Sequence, residues 1–178
     1  ARHLRVRGTG DARAPFFTNE DEKRLLYELS QMSNKNHLRL TKLALATGFR
    51  RSELLSLTWS NIDLKKRIIY IYRKNCAATD NASVMRLVPL TEQAEKIIEE
   101  SNERNGKVIE LSKGAARNGF DKARKRAGLQ TLRFHDLRHI AISRMWSSGM
   151  NALEISACSG HRDIKMLMRY SHYELSLL

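Results

Sequence analysis

The chain has 178 residues, with 32 Lys and Arg against 19 Asp and Glu, a formal charge of +13. That length suits one domain that buries about 70% of its unfolded surface, and the charge favours phosphate polymers or anionic surfaces as partners. No apolar run approaches the ~18 residues of a membrane-spanning helix, and Cys76 and Cys158, with no CxxC, fit a reducing cytosol rather than a disulfide scaffold.

The opening, ARHLRVRGTGDARAPFF, has no apolar signal core. Residues 1–17 read as a basic linker or arm, from Arg2, Arg5, Arg7 and Arg13 with Gly8, Gly10 and Pro15, and with this opening and no methionine the chain is expected to be a piece of something longer. TNEDEKRLLYELSQM starts a helix at Thr18, with Asp21 three residues on as a capping partner and Leu25, Leu26 and Leu29 at helical spacing. HLRLTKLALATG is a second helix stopped by Gly48, and RRSELLSLTW a short third. The period then changes. RIIYIYR (67–73) and MRLVPL (85–90) read as a hairpin, with Pro89 at a strand end. Helical signals return over Thr91–Ser101 and Lys113–Arg126, then in HDLRHIAISRMWSSG up to Gly149. Asn151 caps a short helix through Cys158, and a last helix spans 163–175. The fold class expected is mainly α with one small antiparallel sheet.

On the 135–148 helix, His135, Arg138, His139, Ile142 and Trp146 share one side, while Leu137, Ile140 and Ala141 cover others. A helix apolar nearly all round is buried, so Arg138 needs a partner. A carboxylate such as Asp136 or Glu53 is one choice. A phosphate, which matches the fork of guanidinium donors, is the other. His135 and His139 form HxxxH with His161 as a third candidate ligand, but Arg138 between them repels a dication, so no metal is expected. Arg50 and Glu53 are spaced to pair on the surface, or to serve an anion. Lys74 and Arg86, on the two sides of the hairpin loop, read as solvated. In the last helix, Ile164, Leu167, Met168, Ser171 and Leu175 form the buried stripe. Tyr170 flanks it and Tyr173 points away. A flank position holds a ring while exposing its hydroxyl, which makes Tyr170 the better nucleophile.

Arg50 in TGFRRSELL, Lys74 on a hairpin, then HDLRH, SGH and RYSH occur in that order. This set resembles the catalytic domain of the tyrosine recombinases, the phage-integrase family, over residues 18 to 175, and SGHRD and RYSH are most similar to the shufflon-type DNA invertases and related plasmid or phage integrases. The resemblance implies a catalytic domain over 18–178 without the family's N-terminal DNA-clamping domain. It implies breakage and rejoining of double-stranded DNA through a 3′-phosphotyrosyl bond, in integration, excision or inversion. No cofactor, metal or ATP is implied, and the setting is a bacterial or phage-infected cytoplasm, with no membrane partner and self-association into a tetramer on DNA. It assigns Arg50 and Arg138 as phosphate clamps, Lys74 as the hairpin lysine that protonates the leaving group, His135 and His161 as the active-site histidines and Tyr170 as the nucleophile. Glu53 takes the supporting acidic position. The long stretch between Lys74 and Arg86 leaves Arg73 as a competitor to Lys74. Ser159 stands where the family usually has leucine, which is expected to loosen local packing. Two other functions use overlapping features: DNA relaxation like that of type IB topoisomerases, and a non-catalytic DNA-binding module.

Overall fold

The computed structural model describes residues 17–72, 85–101, 104–161, 163 and 167. Seven α-helices occur among them: α1 (Asn19–Ser30), α2 (Asn36–Thr47), α3 (Arg51–Ser56), α4 (Glu92–Glu99), α5 (Lys113–Arg126), α6 (Asp136–Ser147) and α7 (Ala152–Ser159). One antiparallel sheet joins β1 (Ile62–Asp63), β2 (Ile68–Tyr72) and β3 (Met85–Pro89) in the order β1-β2-β3. The chain is therefore mainly helical with a small sheet, as its patterning predicts.

The helix ends follow from local chemistry. Thr18 Oγ1 accepts from the Asp21 N–H at 3.1 Å, and Asp21 Oδ2 accepts from the Thr18 N–H at 2.9 Å, so two orphan donors of α1 are satisfied reciprocally. Asn151 Oδ1 accepts from the N–H groups of Leu153 and Glu154 at the start of α7. α2 stops at Gly48, whose left-handed φ of 65° turns the chain sharply and sends its N–H back to the Ala44 carbonyl. That turn launches Arg50 and α3.

The sequence reading missed β1 and so made the sheet a two-stranded hairpin. β1 is two residues long, pairing Ile62 with Ile69 and Asp63 with Ile68. Its link to β2 lacks the glycine or asparagine that usually marks a turn with positive φ; Arg67 takes that place at φ 54°.

Leu25, Leu29, Leu40, Leu43, Leu54, Ile69, Ile98, Leu132 and Leu137 are among the fully buried side chains of the main core. Each contributes about 1.5–3 kcal/mol by leaving water. A smaller cluster joins Ile142 and Trp146 of α6, Ile155 of α7 and Leu167. Leu167 is buried, as the stripe predicted for the last helix requires; the rest of that stripe, Tyr170 and Tyr173 lie outside the described residues. Within the described residues, no helix is long and apolar enough to cross a membrane. α2 packs on α6, α6 on α7, and α7 on β3. These three contacts bring distant stretches of chain to one place.

Candidate active site

Arg138 lies in the first turn of α6 and is only 3% exposed. Its Nη1 donates to the Gly48 carbonyl at 2.8 Å, across the α2–α6 contact. Its Nη2 lies 3.3 Å from both ring nitrogens of His161. An atom equidistant from both nitrogens cannot line up with either lone pair, so the guanidinium faces the imidazole rather than forming one directed bond with it. Of the two carboxylates proposed for Arg138, Asp136 accepts from the Arg133 N–H at 2.7 Å, and Glu53 holds two other arginines.

Arg50 stands at the start of α3. Its backbone N–H donates to Glu53 Oε2 at 2.8 Å and its Nη1 reaches Glu53 Oε1 at 3.2 Å. The carboxylate is largely buried (10% exposed) while the arginine side chain stays 43% exposed. Glu53 thus anchors Arg50 at its base and leaves the guanidinium in reach of solvent.

His161 follows the α7 stop at Gly160, a second left-handed glycine at φ 73°. Ser156 Oγ donates to the His161 carbonyl at 2.8 Å. Ser159 Oγ donates to the Ile155 carbonyl at 2.6 Å and lies 2.8 Å from His161 Nδ1. The single hydroxyl hydrogen is committed to Ile155, so Nδ1 carries the ring proton and donates to Oγ, leaving Nε2 with a lone pair. The looser packing expected at Ser159 is therefore not what the fold shows. Ser159 is fully buried, and its hydroxyl holds the histidine ring.

His135 stands just before the first residue of α6, and its ring packs edge to face on that of His139, with centroids 5.0 Å apart. Three imidazoles and two guanidiniums crowd this region, and the electrostatics record it. Desolvation first, then the charges of Arg138 and Arg50, press the His161 pKa down to about 4. Desolvation, then His135 and Arg138, bring His139 to about 4 as well. His135 moves in the same direction, by desolvation and then Arg138 and Arg50, with Asp136 opposing. These rings are neutral at pH 7. Because burial and like charge penalise their protonated forms in the folded state, folding stability is fully present above pH 6.5 and is lost as pH falls toward 4. The denaturant midpoint is expected to drop steadily between pH 7 and pH 4.5, and His161→Asn should flatten that fall. A midpoint independent of pH over this range would contradict the crowding.

The fold thus gathers Arg50, Glu53, His135, Arg138 and His161 from three separate stretches. Lys74, its neighbour Arg73 and Tyr170 lie outside the described residues. Arg86 corrects the sequence reading: it is not solvated, its side chain being 9% exposed and paired with Glu53 at 3.4 Å. The signal was present in the period-two alternation of β3. Val88 faces the core, which puts Arg86 on the inward side while Met85 and Leu87 face out.

Residues 15–175 match the phage integrase family. The shufflon-specific DNA recombinase of Escherichia coli is 35% identical over 161 residues, covering 87% of this chain and 39% of that protein. The integrase of Salmonella phage P22 is 27% identical over 147 residues, covering 75% of this chain and 38% of that protein. The chain thus spans less than half the length of these relatives. The catalytic domain of bacteriophage HP1 integrase superposes with a TM-score of 0.69 at 27% identity, covering 88% of this chain and 86% of that one. The Tn1549 transposon integrase, solved in complex with transposon right end DNA, shares the fold with a TM-score of 0.68 at 18% identity, covering 95% of this chain and 67% of that one.

Proposed function

This chain belongs to the phage integrase family, and on that footing we propose that it forms the strand-transferring domain of a site-specific DNA recombinase. The observation that carries the reading is buried Arg138 in the first turn of α6 facing the His161 ring at 3.3 Å, with the charge of Arg50 also acting on that ring. Two guanidiniums around one point suit a phosphodiester whose nonbridging oxygens gain charge as phosphorus becomes five-coordinate.

In this reading Tyr170 Oη attacks phosphorus and forms the 3′-phosphotyrosyl bond, while the bond to the 5′ oxygen breaks. A phenol of pKa about 10 needs a base or a cationic setting to attack near neutral pH. His135 and His161, neutral at pH 7, are able to take its proton, and Nε2 of His161 offers the lone pair. Lys74 gives a proton to the departing 5′ oxygen. Attack by a 5′-hydroxyl on the phosphotyrosyl bond reverses the step and returns the phenol, so the energy of the broken bond is retained and no ATP is consumed. Exchange between two duplexes breaks four strands, which supports a tetramer on DNA, one chain per cleavage. Two separate thiols and the bacterial and phage relatives support action in a bacterial cytoplasm.

The test is a nicked duplex whose cleavage releases a short 5′ fragment and traps the enzyme. A covalent protein–DNA complex formed in the presence of a chelator is expected. No adduct on any sequence would leave only a DNA-binding module. An adduct with relaxation of supercoils, but no exchange between two sites, would favour the topoisomerase-like reaction. Binding itself should rest on phosphate contacts, with log affinity falling by about 0.9 per neutralised phosphate against log salt; filter binding over a series of salt concentrations reads the slope, and a flat line would remove the electrostatic interface.

A further inference from the structure

We propose that Arg86 is a positioning residue of the site, holding Glu53 and hence Arg50 on one side and the Gly160–His161 turn on the other. The proposal rests on the strand-transfer reading above.

The geometry has three parts. First, Arg86 Nη2 lies 3.4 Å from Glu53 Oε2, the same oxygen that accepts the Arg50 N–H at 2.8 Å. Arg86 and Arg50 therefore fix one carboxylate between them, and the rotor of Glu53 sets where Arg50 begins. Second, the guanidinium carbon stands 5.3 Å from the centre of the Phe49 ring, in the residue before Arg50. Third, a Cβ added to Gly160 would fall 1.5 Å from Arg86 Nη1 and 2.7 Å from Cζ, so the tip of the guanidinium occupies the space beside the backbone that leads into His161. Gly160 is required twice over, by its positive φ and by this contact.

Arg86 thus joins β3, the start of α3 and the end of α7, which are far apart in sequence. Its side chain is 9% exposed, too enclosed to meet a DNA phosphate itself. A lysine in its place keeps the charge but loses the planar fork that touches Glu53, Phe49 and Gly160 together. Loss of that fork should displace Arg50 and His161 by a fraction of an ångström, which matters to the rate of a positioned reaction far more than to binding by many surface cations.

The experiment measures the single-turnover rate of adduct formation at saturating nicked DNA, the DNA Kd and the melting temperature for Arg86→Lys, Arg86→Met, Glu53→Gln and the double variant Arg86→Met/Glu53→Gln. Arg86→Lys is expected to slow the step about tenfold and Arg86→Met about a hundredfold, with Kd within about twofold of the parent. The double variant should be slowed by less than the product of the two single effects, because part of the Arg86 effect passes through the Glu53 carboxylate. A parental rate for folded Arg86→Lys, or effects that multiply in the double variant, would overturn the proposal. If Arg86→Met does not fold, Arg86→Lys carries the same comparison. One readout needs no catalysis: in DNA-free chain, the His161 ring resonances should shift in Arg86→Lys, where charge is kept and only geometry changes. Unmoved His161 resonances sink the positioning role, whereas parental chain that forms no adduct sinks the strand-transfer reading instead.

Discussion

Tyr170→Phe is expected to abolish the covalent adduct, lowering its formation below detection, while DNA affinity and melting temperature stay at their parental values. Only one hydroxyl is removed from a ring expected at the edge of a stripe whose Leu167 is buried against Ile142, Trp146 and Ile155. In the proposed reaction that hydroxyl supplies the bond that stores the cleavage energy. Tyr173→Phe should keep the adduct, since on the expected 163–175 helix Tyr173 points away from the buried stripe that Tyr170 flanks. Peptide mapping of the adduct on nicked duplex, with both variants in parallel, decides between them. DNA attached to Tyr173, or a normal adduct from Tyr170→Phe, removes Tyr170 as the nucleophile.

Arg138→Ala should lower the rate of adduct formation by about 10²–10³, the loss seen when one preorganised donor to a developing oxyanion is removed. Its cost to stability should be smaller than its cost to rate. The bond to the Gly48 carbonyl is buried, and leaving that carbonyl without its donor costs about 1–3 kcal/mol. Breaking a buried ion pair would cost about 3–5 kcal/mol. Urea titration of the variant separates the two: a loss above about 3 kcal/mol would make Arg138 chiefly a structural cation. The substitution has a second readout. After desolvation, Arg138 is the largest influence holding His161 down, so the His161 pKa should rise from about 4 while burial still keeps it below the ordinary imidazole value, and an unchanged titration by NMR would mean that the two side chains do not face each other in solution. Arg138→Lys should recover little, because a point charge replaces a fork that spans the Gly48 carbonyl and the imidazole.

Much of the fold was legible from local signals. The cap at Thr18, the glycine stops at Gly48 and Gly149, the Asn151 cap and the change of period at Arg67 all act within a few residues, so the sequence displays them directly. β1 was not legible, because two residues carry no period and Arg67 replaces the usual turn residue. The candidate site residues were chosen through the order of their motifs, which the residues alone left ambiguous. HDLRH by itself allowed Arg138 a carboxylate partner; the choice of the Gly48 carbonyl and His161 depends on how α2 and α7 pack on α6.

By itself, the sequence determined the helical class, the sheet's location, the basic charge and the set of chemical groups, because each depends on composition or on spacing along one element. Tertiary structure alone decided which of those groups meet. Ser159 became the hydrogen-bond partner of His161, and Arg86 left solvent to join Glu53 to Gly160. The low pKa of His161 likewise arises from burial first and then from Arg138, 23 residues before it, and Arg50, far earlier still. The physical reason is common to all three. Burial and electrostatic interaction depend on distances across packed elements, and those distances are set by the whole core at once rather than by any local stretch of chain.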